Sequence, residues 1–490
     1  MTPPAALLVH LHAHLPDVRG PVALSFEDWY FEALQGCYLR LLDVLTGWAR
    51  DEVPAAVGLS VSPPLVAMLS DTALNARAED RWRRCLQLLS REPLPQRDWL
   101  ASSFEQALAL RQAFPEPIKT LRSLEDAGVV ELATTGASHG FLPFLRSVHP
   151  ALVEAQVEIA VRRHTAVFGR SPAGFWVPEC AWTKDLDEIL ADRHIAYSFC
   201  EADGADGAVF GAAQPLMTEA GPVVFPRDPG CARDVWDPHD GFPAHPSQRE
   251  FHRDAGMEIE HESLVSAGLP ADGRPLNLKV WAVTGSDVKE PYQPDVAQQT
   301  VANQVQAFVQ ARVDSGQDFH RQTGRPAVFT APFDAELFGH WWYEGPSFLD
   351  KLARHSRPGL ALLKPSEVIR SQLSFETRGP RLGSWGEGGF SRTWLGFDNA
   401  WVQDEVAASG RTVMRMAETD HPNAPLAAEH HLLACASDWP FILRAGSHVE
   451  SVTSRVRFHS RAVRRLEAGE TVEGRGTFGA IDVGVFRGRT

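Results

Sequence analysis

No stretch of this 490-residue sequence reaches the roughly 18 consecutive apolar residues that a membrane-spanning helix needs. Its six cysteines are scattered without any CxxC spacing, which favours reduced thiols over a disulfide framework or a zinc site. Lys and Arg, 47 in all, are outnumbered by 62 Asp and Glu, and a net charge of −15 argues against a nucleic-acid partner. The composition therefore predicts no membrane and no nucleic-acid partner, and it suits a neutral substrate.

The first 16 residues, MTPPAALLVHLHAHLP, lack the basic region and the small-residue cleavage site of a signal peptide, so we expect a cytoplasmic protein. The length suits a barrel of about 250 or more residues with an appended domain. The sequence leaves open whether the protein is a monomer or a homodimer.

Segments with alternating β-like and α-like patterns occupy about the first 200 residues. Strand-like runs occur at 6–11, 129–133, 174–177, 278–283 and 327–330, and a helical pattern follows the first of them at 29–48. This order is typical of βα units. In a βα-barrel the chemistry lies where strands end and loops begin, so functional side chains are expected at those ends.

Two regions differ from this pattern. At about 201–270 the periodicity fails and Gly, Pro, Asp and His dominate, which predicts a subdomain inserted over one face of the barrel. After a Gly-rich segment at 383–390 the sequence is largely helical, including 399–416 and 426–436, and the basic run at 455–465 has the spacing of an ordinary helix face. We therefore expect an interrupted catalytic barrel at 1–370 and a helical C-terminal domain at 371–490.

Three histidines, His10, His12 and His14, alternate at the end of the first strand-like run. A period of two places them on one face of a strand, which Pro16 then ends. Neutral imidazoles both donate and accept hydrogen bonds, which suits sugar hydroxyls, although three histidines can also bind a metal. Because no pair of Asp is nearby, we favour hydroxyl binding over metal binding, and we expect no cofactor. His10 is the weakest candidate, since it can simply pack.

A single carboxylate, Glu179, lies at the end of another strand-like run, between two tryptophans in GFWVPECAW (174–182). Apolar flanks make an ionised carboxylate costly, which favours a functional role. A Glu that follows Pro is also common in solvated turns and at helix starts. This segment alone leaves both interpretations open.

The segment TAPFDAELFGHWWYEG (330–345) concentrates Asp334, Glu336, His340 and Glu344 among aromatic residues. Cleavage of a glycosidic bond needs two carboxyls from different strand ends, one protonated and one ionised, and aromatic faces stack on sugar rings. A separation of roughly 5–5.5 Å between the carboxyls would mean a retaining mechanism. In the alternative interpretation, Trp341 and Trp342 are a buried helix start, and Glu336 and Glu344 are its N-terminal charges.

Five segments resemble, in order, the signature regions of glycoside hydrolase family 57: HAHLP (12–16), ELATTGASHGFLP (131–143), GFWVPECAW (174–182), PFDAELFGHWWYEGP (332–346) and ASDWPF (436–441). Within the family, HWWYEGP, GSWGEGGFSRTWLG (383–396) and SDWPF most resemble the 1,4-α-glucan branching enzymes. The resemblance implies an α/β fold: an incomplete (β/α)7 TIM-like barrel with an inserted subdomain and a C-terminal α-helical domain. It also implies a metal-free active site and an α-glucan substrate such as amylose, amylopectin or glycogen.

By motif position, the resemblance implies that Glu179 is the nucleophile and Asp334 the general acid/base of a retaining double displacement. His12 and His139 match histidines of the donor site. These matches and the clusters above together make the following residues candidates for substrate binding: His12, His14, His139, Arg274, Trp281, Gly285, His340, Trp341, Trp385, Trp394 and Asp438.

The sequence departs from the branching pattern where the family usually has tyrosines, at Asp17, Phe242 and Gln248, and where Gly36-Cys37 replaces a common Glu-Thr pair. These differences put efficient branching in doubt and leave a 4-α-glucanotransferase or an α-amylase of the same family as alternatives. A metal-dependent polysaccharide deacetylase is suggested by the histidines, but its TFDDG-type and HSxxH-type motifs are missing. A glucan-binding protein without activity is the remaining possibility, for which an intact Glu179 and Asp334 are hard to explain.

Overall fold

Strand β1, Ala5–Ala13, is buried along all nine of its residues and lies inside the sheet that organises the fold. The structure is a computed structural model, and it describes residues 5–20, 25–371 and 374–488. The other strands are β2 Val57–Val61, β3 Val130–Thr135, β4 Gly174–Trp176, β5 Tyr197–Cys200, β6 Leu216–Met217, β7 Val223–Pro226, β8 Ala327–Asp334, β9 Leu360–Leu362 and β10 Glu376–Thr377.

The strand order is β10-β6-β7-β5-β4-β3-β2-β1-β8, and β9 also pairs with β1. The seven consecutive strands from β7 to β8 in this order are all parallel, whereas β6 runs antiparallel to β7. Parallel strands that are buried on both faces carry continuous apolar sequence, as β1 and β8 do. The sheet is therefore the incomplete seven-stranded barrel that the sequence predicts.

Helices follow the strands and cover the outside of the sheet. They are α1 Ser25–Ala33, α2 Leu39–Arg50, α3 Pro63–Leu69, α4 Thr72–Leu89, α5 Arg97–Ala113, α6 Pro117–Asp126, α7 Leu142–Val148, α8 Pro150–Phe168, α9 Leu186–Ala191, α10 Pro229–Trp236, α11 His261–Ser266, α12 Pro294–Thr323, α13 Gly345–Arg354 and α14 Pro365–Ser371. Sequence signals set several ends: Ser62 caps α3 ahead of two prolines, and Gly169 ends α8 at a φ of 76°. A π-helical turn, Leu34–Tyr38, joins α1 to α2.

Two sequence predictions need correction in this part of the chain. The run at 278–283 is not a strand of the sheet, since its described pairing is limited to isolated bridges from Trp281 to Pro291 and from Ala282 to Arg249. Its apolar residues Leu278 and Val280 are buried against the insertion, which accounts for the apolar pattern. The region at 201–270 also contains β6 and β7, so part of the predicted insertion belongs to the sheet.

After β10 the described chain is helical, with α15 Ala400–Glu418, α16 Ala424–Ala434, α17 Asp438–Arg444 and α18 Val449–Glu467. The basic run at 455–465 lies in α18, but Arg455 is only 1% exposed and is not part of a solvated face. Its guanidinium donates to the carbonyl oxygens of Asp17 and Val18 after β1. Arg455 therefore links the C-terminal helical region to the chain segment that follows β1. In the described ranges, no helix combines the length and the apolarity that crossing a membrane requires.

Candidate active site

The carboxyl ends of the parallel strands bring the predicted residues together. His12 and Asp334 are paired in register at the ends of β1 and β8, and Glu179 follows β4 in a short turn, Pro178–Cys180. Glu179 has a left-handed backbone, with φ of 60°, and His139 after β3 has a φ of 56°. Such conformations are uncommon for residues other than glycine and occur frequently at functional sites.

The carboxylate of Glu179 accepts two hydrogen bonds. The indole Nε1 of Trp385 donates to Oε2 at 2.7 Å, and the hydroxyl of Ser437 donates to Oε1 at 2.6 Å. Burial raises the pKa of Glu179 to about 7, and these two donors oppose that rise because they favour the charged form. The surroundings therefore hold the carboxylate in one orientation and stabilise its charge.

The carboxyl of Asp334 has a different environment. Burial, with a further contribution from the nearby charge of Glu179, raises the pKa of Asp334 to about 8. Among the described residues no group donates a hydrogen bond to this carboxyl, so its charged form lacks the stabilisation that Glu179 receives. When two neighbouring carboxyls share one proton, the proton therefore resides on Asp334. One group is prepared to act as an acid and the other as a nucleophile.

Three histidines stack beside this pair. The rings of His12 and His139 have centroids 4.9 Å apart, and those of His14 and His139 are 4.1 Å apart. Burial lowers the pKa of His12 and of His139 well below the usual value, so both are neutral at pH 7. His14 is bonded to Asp438 at 3.0 Å. His10, by contrast, is fully buried against Trp176 and Phe199 and does not reach the open end of the site.

His14, His139 and Asp438 also bring three possible metal ligands within 4.8 Å of one another. The His14 and His139 rings are stacked with only 21° between their planes, and a metal lies in the plane of the imidazole that binds it, so the two lone pairs do not converge on one ion. Both ring nitrogens of His139 are also engaged, by His12 and by Ser437. The geometry fits a hydrogen-bonded cluster better than a metal centre.

Aromatic rings extend from Glu179 towards solvent. Trp385 stacks on Trp236, with ring centroids 6.5 Å apart and 21° between planes, and Trp236 meets Trp341 edge to face at 5.9 Å. Trp236 is 39% exposed and offers a ring to a ligand. Trp236 lies in the irregular insertion, where no periodicity marks it, so the sequence alone does not predict its role. Ser437 was also missed, although it stands next to Asp438 in the ASDWPF segment.

The other candidates lie elsewhere or are covered. Trp394 is 2% exposed and stacks on Phe141 at 5.0 Å, so its ring is not an open platform. Trp281 is covered by the guanidinium of Arg253 at 4.3 Å. Arg274 pairs with Asp28 and Asp272 near the surface, and Gly285 lies in an exposed turn. Trp281, Arg274 and Gly285 have no described contact with Glu179, whereas Trp394 packs beside Ala181 and Trp385, next to it.

His340 belongs to a buried charged cluster. Its Nδ1 lies 3.8 Å from Glu32, whose carboxylate pairs with Lys279, and burial lowers the pKa of His340 to about 4. Its ring also contacts Phe251 edge to face at 5.3 Å. These contacts indicate that His340 supports the loop after β8 from behind.

Glu336 connects two strand ends. It is 3% exposed and accepts hydrogen bonds from the hydroxyl of Tyr38 at 2.6 Å and from the backbone of His14 at 3.0 Å. Burial raises the pKa of Glu336 to about 8, and the neighbouring charge of Asp334 contributes. Glu336 is therefore more than a helix-start charge, because its side chain joins the chain after β1 and the π-helical turn to the end of β8.

The positions that lack tyrosine are internal. Asp17 pairs with Arg19 at 2.7 Å and accepts a hydrogen bond from Thr477, while Gln248 is fully buried and accepts one from Trp342. Phe242 packs against Trp342 and other aromatic rings. These side chains maintain the loops rather than face the carboxyl pair.

The Gly36-Cys37 pair lies where the π-helical turn meets the loop after β8. A Cβ at position 36 would lie 2.5 Å from the carbonyl oxygen of Gly339, so the contact has no room for a larger side chain. The thiol of Cys37 donates to the carbonyl oxygen of Ala335 at 3.0 Å. Gly36-Cys37, in place of the common Glu-Thr pair, therefore lets the backbone of the π-helical turn contact the backbone of the loop after β8.

Comparisons with known proteins agree with this architecture. The family model of glycosyl hydrolase family 57 matches residues 9–228. A probable 1,4-alpha-glucan branching enzyme from Mycobacterium tuberculosis is 28% identical over 549 residues, covering 98% of this chain and 97% of that protein. The structure of the alpha-amylase AmyC from Thermotoga maritima has a TM-score of 0.87 at 26% identity and covers 99% of both chains. A family 57 branching enzyme from Thermococcus kodakaraensis also has a TM-score of 0.87, at 25% identity, with coverage of 99% of this chain and 97% of that one.

The match extends through the strand ends that carry His12, His139 and Glu179, and the similar structures continue to the helical region that supplies Trp385 and Ser437. The chain is therefore similar to glycosyl hydrolase family 57 over residues 9–228, and to a solved branching enzyme of that family over nearly its whole length.

Proposed function

We propose that this protein is a 1,4-α-glucan branching enzyme that acts by retaining double displacement, with Glu179 as nucleophile and Asp334 as general acid/base. The observation that carries the proposal is the unequal environment of the two carboxyls. Glu179 accepts hydrogen bonds from Trp385 and Ser437, whereas Asp334 accepts none among the described residues and has its pKa raised to about 8 by burial. Glycosidic bond cleavage requires this division into an ionised and a protonated group.

In the first step Glu179 attacks the anomeric carbon while Asp334 gives its proton to the departing glycosidic oxygen, which leaves a glucosyl ester on Glu179. In the second step the ionised Asp334 accepts the proton of a 6-hydroxyl from another glucan chain. That oxygen attacks the anomeric carbon, releases Glu179 and forms an α-1,6 branch. Water in place of the hydroxyl would give hydrolysis, so acceptor positioning decides the product.

The contacts around the pair support a sugar substrate. Trp236 and Trp341 form a partly exposed aromatic corner beside Trp385, and aromatic faces of this kind stack on sugar rings. His12 and His139 form a stacked, uncharged pair beside the carboxyls, with their ring nitrogens bonded to Ser60, to each other and to Ser437. We further propose that the chain consists of a barrel at 1–370 with an insertion and a helical domain at 371–490, and that the protein acts on storage glucans in the cytoplasm.

Hydrolysis is the second candidate function, because the alpha-amylase AmyC has a TM-score of 0.87 with this chain at 26% identity. The two functions share the carboxyl pair and differ in what reaches the glucosyl ester. A branching enzyme has to keep water out while a second glucan enters.

Proton NMR of amylose after incubation with the protein tests the proposal, with Glu179→Gln as the blank. Growth of the α-1,6 anomeric signal without a matching increase in reducing ends is the result expected for a branching enzyme. Reducing ends without α-1,6 linkages would replace branching by hydrolysis on the same carboxyl pair. Equal activity of Glu179→Gln and the native protein would overturn the assignment of the nucleophile.

A further inference from the structure

We propose that Ser60 and Ser437 are positioning residues for Glu179, because they complete a hydrogen-bonded chain through three histidines in which every proton points towards the Glu179 carboxylate. This inference rests on the proposed role of Glu179. The chain, called the histidine–serine chain below, runs in the order His10, Ser60, His12, His139, Ser437 and Glu179.

The direction of the chain is set at the end next to Glu179. Ser437 has one hydroxyl proton, and it donates this proton to the Oε1 of Glu179 at 2.6 Å. The Oγ of Ser437 lies 2.8 Å from the Nδ1 of His139, so it accepts a hydrogen bond from that nitrogen. Because His139 is neutral, its single ring proton is then on Nδ1, and its Nε2 is an acceptor.

The donors and acceptors of the remaining hydrogen bonds, from His139 to the buried His10, follow in the same way. The Nε2 of His139 lies 2.9 Å from the Nε2 of His12, which therefore donates its only ring proton to it. The Nδ1 of His12 is then an acceptor, and the Ser60 hydroxyl donates to it at 2.8 Å. The Oγ of Ser60 in turn accepts from the Nε2 of His10 at 3.2 Å. All four links from His10 to Ser437 are thus satisfied by one arrangement of protons.

The remote end of the chain favours this direction over the reverse. The last atom is the Nδ1 of His10, which is buried and has no hydrogen-bond partner among the described residues. Gly58 lies against it, since a Cβ at position 58 would be 2.2 Å away. In the reverse direction this nitrogen would be a buried N–H donor without an acceptor, whereas in the proposed direction it is an unpartnered acceptor, and orphaned buried N–H groups are the rarer of the two.

This arrangement opposes protonation of Glu179. A proton on Oε2 would face the N–H of Trp385 at 2.7 Å. A proton on Oε1 would face the hydroxyl proton of Ser437, which would have to turn away and lose the carboxylate as its acceptor, while the His139 N–H still donates to the Oγ of Ser437. The histidine–serine chain therefore keeps the nucleophile ionised and oriented although it lies in a site where burial raises its pKa.

Other side chains near Glu179 have opposite effects on its pKa. Asp438 raises the pKa of Glu179 and His14 lowers it, while Asp334 is the carboxyl whose own pKa the charge of Glu179 raises. These three side chains are unchanged when a serine of the chain is replaced. A difference between the native protein and a serine variant therefore reports on the histidine–serine chain.

The test compares pH profiles of kcat and KM for Ser60→Ala, Ser437→Ala and the control Ser198→Ala on amylose. Ser198 is an equally buried hydroxyl on strand β5 of the same sheet, and it donates to the carbonyl oxygen of Phe175 at 2.7 Å, outside the histidine–serine chain. For Ser437→Ala we expect kcat to fall roughly 10- to 100-fold, the effect of losing a hydrogen bond to a charged group, and the acid limb to move up by about one pH unit. For Ser60→Ala we expect a smaller shift of the acid limb in the same direction, with KM within about twofold of the native value.

Ser198→Ala is expected to lose stability without moving the acid limb. A native pH profile and kcat in folded Ser60→Ala would overturn the inference. An equal shift of the acid limb in Ser198→Ala would do the same, because the effect would then belong to any buried hydroxyl.

A second measurement does not depend on folding of the variants or on activity. The ¹⁵N and ¹H NMR signals of selectively labelled histidines in the native protein report which ring nitrogen carries the proton. We expect protonated Nδ1 in His139 and protonated Nε2 in His10 and His12. The opposite tautomers would overturn the direction of the chain, whereas an inactive protein with the expected tautomers would contradict the proposed function alone.

Discussion

Trp385 is bound to Glu179 twice, although 206 residues separate them: its indole Nε1 donates to Oε2 at 2.7 Å, and its backbone N–H donates to the carbonyl oxygen of Glu179 at 3.1 Å. The segment that carries Trp385 follows the barrel strands in sequence, so the site is complete only when the two parts of the chain are docked. The left-handed backbone of Glu179 is held by this contact from outside its own loop.

Trp385→Phe keeps most of the ring and removes only the indole donor. We expect kcat to fall roughly 10- to 100-fold, which corresponds to about 1.5–3 kcal/mol for a lost hydrogen bond to a charged group. The acid limb of the pH profile is expected to move upwards, because the charged form of Glu179 loses a donor. Steady-state kinetics on amylose between pH 4 and pH 9 measures both effects.

Trp48→Phe is the matched control. Trp48 is 1% exposed and its indole donates to a carboxylate oxygen of Asp350 at 2.9 Å, far along α2 from the site. This variant should lose stability and keep the native pH profile. A profile that shifts as much in Trp48→Phe as in Trp385→Phe would contradict the role of the indole.

The pH dependence of native activity follows from the carboxyl pair. Glu179 has to be ionised to attack, so activity rises as the pH passes its pKa of about 7. Asp334 has to be protonated to act as the acid, so activity falls as the pH passes its pKa of about 8. We expect a bell-shaped profile of kcat/KM with its maximum between these values, as the apparent pKa values of the pair. A maximum below pH 5 would disagree with this assignment.

Trp236→Ala should change product distribution more than cleavage. Trp236 is 39% exposed and stacks on Trp385, so its ring can hold a sugar near the glucosyl ester without touching the reacting atoms. We expect the ratio of transfer to hydrolysis to fall about tenfold, with total bond cleavage within about threefold of the native rate. Quantifying α-1,6 linkages and reducing ends in the same reaction gives the ratio, and an equal decrease of both would rule out this role.

Gly36→Ala should be destabilising because a Cβ there would lie 2.5 Å from the carbonyl oxygen of Gly339. Overpacking of this kind costs about 1–3 kcal/mol, and we expect the free energy of unfolding in urea to fall by that amount. Gly47→Ala is the control: its Cβ would meet its nearest neighbour, Arg354, at 3.6 Å inside α2, so it should be neutral or stabilising by about 0.5–1 kcal/mol. Equal stabilities of the two variants would contradict the close contact.

Asp17→Asn tests how much the ion pair between Asp17 and Arg19 stabilises the loop after β1. Burial alone would raise the pKa of Asp17, but the hydrogen bonds and charge of Arg19, with the Thr477 hydroxyl, bring it below the usual value of 3.8. Its contribution to stability is therefore present above pH 4 and is lost as the pH falls through the lowered pKa. Removing one partner of a buried ion pair costs about 3 kcal/mol, so Tm should fall clearly at pH 7.

The difference in Tm between the native protein and Asp17→Asn should close as the pH falls through the lowered pKa of Asp17, because the carboxyl is then protonated in both folded and unfolded chains. Asp51→Asn, in an exposed pair with Arg50 and Arg354, should change Tm little at any pH. A difference for Asp17→Asn that stays constant down to pH 2 would show that its charge is not involved.

Much of the fold could be predicted because its signals are local. The apolar runs that became β1, β3, β4 and β8 were found to within a few residues, since a strand buried on both faces has to be apolar throughout. The run at 278–283 was misassigned for the same reason: its apolar side chains are buried, but under an insertion rather than in the sheet. An apolar sequence pattern indicates that residues are buried, but it does not indicate which part of the protein packs against them.

The sequence by itself determined the barrel and placed Glu179, Asp334 and the histidines at strand ends, because parallel strands bring their carboxyl ends to one edge. Tertiary structure alone decided that Ser437 and Trp385 donate to Glu179, that no residue in the described ranges donates to Asp334, and that Trp394 is covered by Phe141. These contacts join residues more than 200 positions apart, and no local pattern encodes such a distance. Which of the two carboxyls, Glu179 or Asp334, carries the shared proton therefore depends on the folded structure, because the neighbours of each group set its pKa.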